Sequence, residues 1–276
     1  MRSALLQLNS SDDPAENLPV TQTLIAEAKA GGADLVLTPE VTNCVSASRT
    51  RQQEVLQTED EDATLAALRL QASELGVWLL IGSLALKTDD SDGRFANRSL
   101  LIAPDGGIAA RYDKIHMFDV EVSETESYRE SAGYRPGRNS TLVETPLGGI
   151  GMTICYDIRF PHLYRGLAQA GAAILSIPSA FSPVTGAAHW ESLLRARAIE
   201  TGAYVLAPAQ TGQHGATRGK QRKTYGHSMA VGPWGDVLAD GGLEPGVVYV
   251  DLDLSEVAKA RQRIPSLHAT SEFDGL

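Results

Sequence analysis

Residues 150–177, IGMTICYDIRFPHLYRGLAQAGAAILSI, read as strand, helix and strand in one continuous run. A short apolar stretch at 150–154 is followed by a polar turn. A segment of helical period then runs from 161 to 170, and a second apolar stretch fills 173–177. Gly171 stands just past the helix, where a left-handed terminator is preferred. Such alternation belongs to layered α/β folds rather than to bundles or sandwiches.

The same reading extends in both directions. Further strands are expected at 3–8, 35–37, 77–82, 98–103, 108–112, 203–207, 227–231 and 247–252, and helices at 15–30, 63–75 and 189–201. Pro104-Asp105-Gly106-Gly107 is turn chemistry between two strands, which makes them an antiparallel hairpin and the sheet mixed. No linker, low-complexity run or internal repeat interrupts the 276 residues, so a single domain over 1–276 is expected.

The chain carries 24 Lys and Arg against 34 Asp and Glu, a net charge of -10, which is the wrong field for holding a phosphate backbone. Nucleic acid is therefore excluded as an expected partner. The basic cluster Arg218, Lys220, Arg222 and Lys223 sits among Gly and Gln and is expected to be a solvated loop. With two cysteines no disulfide framework is available, and no leader or run of 18 apolar residues is found. These features point to a cytosolic protein without a membrane partner.

Polar residues at the carboxyl ends of strands are the first candidates for chemistry in an open α/β sheet. Three stand out: Glu40 ends LVLTPE, Lys114 follows a strand in ARYDKIHMFD, and Cys155 follows GIGMTI. Singly, each has a plain structural explanation, as a water-facing carboxylate, an edge charge and a small buried hydrophobe. Together they make a complete acyl-transfer set. A carboxylate can take the thiol proton, and an ammonium can stabilise the oxyanion of the tetrahedral intermediate without metal or cofactor.

With those three residues in that chain order, the sequence resembles the nitrilase superfamily of carbon–nitrogen hydrolases. LTPEVTN, YDKIHMFD and GMTICYDIRFP are similar to its glutamate, lysine and nucleophile motifs. SAFSPVTGAAHWESLLRARAIE (179–200) and YGHSMAVGPWG (225–235) extend the likeness over almost the whole chain, toward the branch of deaminated glutathione amidases and omega-amidases. The resemblance implies a four-layer α-β-β-α sandwich that assembles into homodimers or larger homo-oligomers. It implies a second glutamate in the site, for which Glu130 in YRESAGYRPG fits best and Glu124 and Glu126, in an acidic loop, are rivals. It also implies that Cys155 carries the acyl group as a thioester, that the Tyr156 backbone N–H joins Lys114 at the oxyanion, and that Arg159, Phe181 and Thr185 contact substrate. The substrate class it implies is a small linear amide bearing a carboxylate, hydrolysed with release of ammonia. Omega-amides, N-carbamoyl amino acids and a non-catalytic binding role on the same fold remain alternatives.

Arg159 lies four residues past the nucleophile, and its guanidinium could hold a carboxylate by two parallel hydrogen bonds; pairing with Asp157 is the structural alternative. Cys44 is expected to be structural or a neighbour of the pocket. A serine nucleophile at Ser228 fails because GHSMA breaks the G-x-S-x-G pattern and lies in an apparent strand. The six histidines lack metal-ligand spacing, and no nucleotide-binding glycine motif occurs.

Overall fold

A computed structural model describes residues 1–123 and 126–269. Strands β1 (Arg2–Gln7), β2 (Leu35–Leu37), β3 (Trp78–Leu86), β4 (Ala96–Ile102) and β5 (Ile108–Asp113) form one sheet, joined at its edge by β16 (Gly246–Asp251) from the far end of the chain. Its order is β16-β1-β2-β3-β4-β5, with β1, β2 and β3 parallel and the other pairings antiparallel. The second sheet repeats that plan. β8 (Thr141–Thr145), β9 (Gly148–Met152), β10 (Ile174–Ser176), β11 (Tyr204–Ala207), β14 (Met229–Val231) and β15 (Val237–Asp240) run in the order β15-β14-β11-β10-β9-β8, and β9, β10 and β11 are its parallel core. Two short hairpins, β6 (Asp119–Ser123) with β7 (Glu126–Arg129) and β12 (Thr211–Gln213) with β13 (Lys223–Tyr225), lie outside both sheets.

The layering follows from the two-residue period of a strand. Ala4, Leu6, Val36, Leu79, Ile81, Leu100 and Ile102 face α1 (Pro14–Ala30) and α3 (Ala63–Leu75), while their neighbours Leu5, Leu35, Leu37, Leu80 and Leu101 join a core shared with the second sheet. On the far side Leu163, Leu167, Trp190 and Leu194 come from α4 (Pro161–Gln169) and α5 (Pro183–Thr201). A Cβ on Gly151 would meet Leu167 and Leu175, so that face of β9 and β10 backs onto α4. The result is helices, sheet, sheet, helices: the four-layer sandwich that the resemblance implied.

Local signals explain most element ends. Asp13 accepts from the Ala15 N–H at 2.9 Å and Pro14 opens α1, while Asp62 caps α3 through the Leu65 N–H at 2.7 Å. Gly76 and Gly202 end α3 and α5 in the left-handed region, each at φ 58°.

Several expected boundaries move. The helix expected from 189 begins at Pro183, because SPVTG reads as a turn but Pro183 is the first helical residue. Helices α2 (Arg49–Val55) and α6 (Ser255–Arg263) were not anticipated, since both are short and polar. β3 continues four residues past Gly82 across a register shift between Ile81 and Leu84. Most of the acidic segment expected as a loop forms the β6–β7 hairpin. Among the described residues no helix is long and apolar enough to cross a membrane.

Candidate active site

The loop after β2 carries Glu40, and the bulge in β3 holds that loop. Ser83 Oγ accepts from the Val41 N–H at 2.7 Å, the Ser83 N–H donates to the Pro39 carbonyl at 3.2 Å, and the Gly82 N–H donates to Thr38 Oγ1 at 3.0 Å. The approach is close enough that a Cβ on Gly82 would stand 1.9 Å from the Thr38 carbonyl oxygen. Val41 is driven to φ 47°, a conformation that costs a β-branched residue about 1–3 kcal/mol and persists only under such restraint.

Cys155 opens a 3-10 turn, Cys155–Arg159, and has φ 49° itself. The turn is wound around Asp157, which is fully buried. Asp157 Oδ2 accepts from the Ile154 N–H at 2.9 Å and the Tyr112 hydroxyl at 2.7 Å, and Oδ1 accepts from the His116 N–H at 3.1 Å with His116 Nδ1 at 2.7 Å. The Cys155 turn is thereby tied to the end of β5, two residues from Lys114. Asp157 is occupied entirely by these groups, so it is not the partner of Arg159.

The three strand-end candidates meet. Lys114 Nζ donates to Glu40 Oε1 at 3.0 Å and to Glu130 Oε1 and Oε2 at 3.0 and 2.8 Å, and the Cys155 thiol stands near enough to Glu40 for each to shift the other's ionisation. Glu40 Oε2 accepts from the Ala180 N–H at 2.9 Å. Glu130 Oε2 also accepts from the Phe118 N–H at 2.6 Å, so the backbone after Lys114 fixes the second glutamate. Glu124 lies outside the described residues, as does the side chain of Glu126. Asn97 completes the set and was missed from the sequence: its Nδ2 donates to Glu40 Oε1 at 2.9 Å and to Glu130 Oε1 at 3.3 Å. The available signal was an amide facing inward from the apolar strand β4.

Burial and charge set the resting protonation. Burial pushes the Cys155 thiol well above its ordinary 9.0, and the Glu40 carboxylate beside it adds to the rise more than Lys114 offsets it. Burial also disfavours an ionised Glu40, but the charge and hydrogen bond of Lys114, with smaller help from Cys155 and Asn97, outweigh it and hold the carboxyl below its ordinary range. Lys114 is fully charged: burial opposes its charge, yet Glu130 and Glu40 raise it well above its usual value. The site at rest therefore holds a neutral thiol against a carboxylate.

These groups stand at the floor of a cavity of about 710 Å³. Tyr156, Phe181 and Thr185 line its wall, Thr185 from the first turn of α5. Arg159 does not line it. Its guanidinium sits 6.0 Å from the Tyr156 ring centroid and 5.7 Å from that of Phe181, and Nη2 lies 3.2 Å from His189 Nδ1. The basic cluster is solvated at Arg218, Lys220 and Lys223 as expected, but Lys220, Arg222 and Lys223 also line the cavity, and among the described residues only Arg218 of the four pairs with an acid, Glu54, at 2.5 Å. Cys44 also borders the cavity, with its thiol pushed up to about 12 by burial first and then by Asp12. Ser228 is fully buried, and its Oγ accepts from the Ala209 N–H at 2.9 Å, a structural duty. Among the described residues no group of three or more His, Cys, Asp and Glu could hold a metal ion.

Comparison with known proteins agrees with this arrangement. Residues 2–262 match the carbon–nitrogen hydrolase family. The chain is 40% identical over 265 residues to a deaminated glutathione amidase of Yersinia enterocolitica, covering 96% of this chain and 91% of that one. Its structure superposes on the C. elegans NitFhit protein with a TM-score of 0.88 at 35% identity, over 98% of this chain and 65% of that longer one. Saccharomyces cerevisiae Nit3, a member of branch 10 of the nitrilase superfamily, gives a TM-score of 0.86 at 29% identity over 99% and 97% of the two chains. A match across nearly the full sequence, on the same four-layer fold, makes this chain a member of the carbon–nitrogen hydrolase family.

Proposed function

We propose that the protein hydrolyses a small, linear, carboxylate-bearing amide of the deaminated glutathione type through a thioester on Cys155. The observation that carries this reading is the convergence on one cavity of the Cys155 thiol with the hydrogen-bonded set Glu40, Lys114 and Glu130.

The thiol is more weakly acidic than usual and Glu40 more weakly basic, so proton transfer at rest is uphill and no free thiolate accumulates. Attack on the carbonyl carbon changes this balance. As sulfur bonds to carbon, the thiol proton passes to Glu40 and the negative charge moves to the carbonyl oxygen, where the Lys114 ammonium and the Tyr156 N–H receive it. Glu130 and Asn97 keep the ammonium in place. Collapse of the intermediate breaks the C–N bond, and Glu40 returns its proton to the departing nitrogen. Glu40 then deprotonates water as it attacks the thioester; the C–S bond breaks and the thiol is restored. In a primary amide the departing group is ammonia. Deaminated glutathione is a substituted amide, so there it is the amine of cysteinylglycine, and an ammonia assay alone would miss the turnover.

The same reading takes residues 1–276 as one hydrolase unit, since β16 from the end of the chain completes the sheet that β1 begins. A second copy is expected on the exposed apolar residues Ile199, Trp234, Val237 and Leu238, and a catalytic thiol fits a reducing, cytosolic compartment. The deciding experiment follows product release by mass spectrometry from deaminated glutathione, 2-oxoglutaramate, N-carbamoyl amino acids and simple aliphatic amides. Preference for deaminated glutathione with a transient acyl adduct on Cys155 is expected. Preference for an N-carbamoyl compound, or an adduct on Cys44, overturns the reading.

A further inference from the structure

The cavity contains a charge imbalance that the acyl-transfer chemistry does not use. Lys114 is neutralised by Glu40 and Glu130, and Arg129, also on the cavity wall, pairs with Glu121 at 3.0 Å. Lys220, Arg222 and Lys223 line the same cavity and form no ion pair among the described residues. In a chain of net charge -10, three uncompensated cations at one cavity wall have a field directed at an anionic ligand.

Arg222 is the most committed of the three. It is half-buried, and among the described residues its buried Nε has no hydrogen-bond partner and its one side-chain hydrogen bond is a long one, Nη2 to the Ala180 carbonyl at 3.4 Å. Among the described residues the guanidinium therefore keeps most of its five donors unspent. The position is informative too. Ala180 accepts from Arg222 and donates its N–H to Glu40 Oε2, so one residue of the cavity lining links Arg222 to the carboxylate that hands its proton to the departing nitrogen.

We propose that Arg222, flanked by Lys220 and Lys223, is a carboxylate-binding site for the departing half of the substrate. The enzyme thereby selects amides whose amine portion ends in a free carboxylate. This rests on the amidase reading above, in which Glu40 protonates the leaving nitrogen. Arg222 can meet a carboxylate with two parallel hydrogen bonds, and the lysines supply point charge at the rim. In deaminated glutathione the group so recognised is the glycine carboxylate.

The test compares kcat/KM for deaminated glutathione with kcat/KM for the same compound carrying a C-terminal carboxamide, which differ only in that charge. The unaltered enzyme should favour the free carboxylate by on the order of tenfold or more, and Arg222→Met should shrink the ratio by a similar factor, chiefly through KM, as loss of a charged hydrogen bond does. Arg222→Lys should keep part of the preference. Should Arg222→Met not fold, the double variant Lys220→Gln/Lys223→Gln, at two exposed positions, reads the same ratio and should lower it. A preference that survives both Arg222→Met and the double variant overturns the inference and leaves the amidase reading intact, as does equal cleavage of the two compounds by the unaltered enzyme. If that enzyme cleaves neither compound and yet turns over 2-oxoglutaramate, both the inference and the deaminated glutathione reading fail.

Discussion

At the scale of single residues the site is a matter of compensated burial. Lys114 is 2% exposed and survives as a cation only because two carboxylates face it. Lys114→Met should therefore do two things. Turnover should fall on the order of a hundredfold or more, as expected when one strong oxyanion donor is lost, and Glu40, without the charge that lowers its pKa, should retain a proton into a higher pH range. Kinetics and a denaturant midpoint measured on the same variant separate the effects, and near-normal turnover would remove Lys114 from the chemistry. The resting protonation also fixes a pH profile. Glu40 is held below its ordinary 4.5, so its ionised form, and the stability it contributes, persists above that value and is lost as pH falls through the depressed pKa. The thiol and the ammonium are raised above their ordinary 9.0 and 10.5. None of the three should therefore add a limb to kcat/KM between about pH 5 and pH 9, and a limb near neutrality that vanishes in Glu40→Gln or Lys114→Met would contradict the assignment.

At the scale of elements, precision comes from two strained joints. The β3 bulge holds the Glu40 loop with Val41 at positive φ, and Asp157 holds the turn that starts with Cys155 at positive φ. Gly82 has no room for a side chain, since the nearest atoms to an added Cβ are the backbone oxygens of Thr38 and Pro39 and a carbon of Pro178. Gly82→Ala should cost about 1–3 kcal/mol by forcing the loop away, as overpacking does, and should lower kcat more than KM because Glu40 moves with it. Equilibrium unfolding alongside steady-state kinetics checks both expectations. A stable variant with unchanged kcat would show that the loop adjusts freely.

At the scale of the whole molecule, the two sheets repeat one plan, parallel in the middle and antiparallel at the flanks, and each contributes half of the site. Glu40 and Lys114 follow strands of the first sheet, while Cys155 and Ala180 follow strands of the second. Of the large apolar residues left exposed, Val20 and Leu70 lie apart on α1 and α3, while Trp234 (44%), Leu238 (45%) and Ile199 (55%) lie on and beside the second sheet and α5. If a second copy covers them, Ile199→Glu should shift the sedimentation coefficient from a dimer to a monomer without first unfolding the chain; an unchanged coefficient would place the interface elsewhere.

Sequence alone determined the layered α/β class, because strand and helix periods and the glycines after helices are local physics that needs no partner. It also yielded Glu40, Lys114 and Cys155, since residues at strand ends can be located from the apolar runs before them, and the resemblance added Glu130. Folding decided the rest. Asn97 is one amide in an apolar strand until β4 lies beside both glutamates, and Asp157 is an ordinary acid until four groups converge on it. Arg159 and Arg222 show the limit most clearly. By sequence distance Arg159 is near Cys155, yet it stacks on the aromatic wall without lining the cavity, while Arg222, 67 positions past Cys155 and set in a polar, glycine-flanked run, reaches the cavity. Whether a surface-type charge is solvated or faces a ligand depends on long-range chain packing, which local composition does not encode.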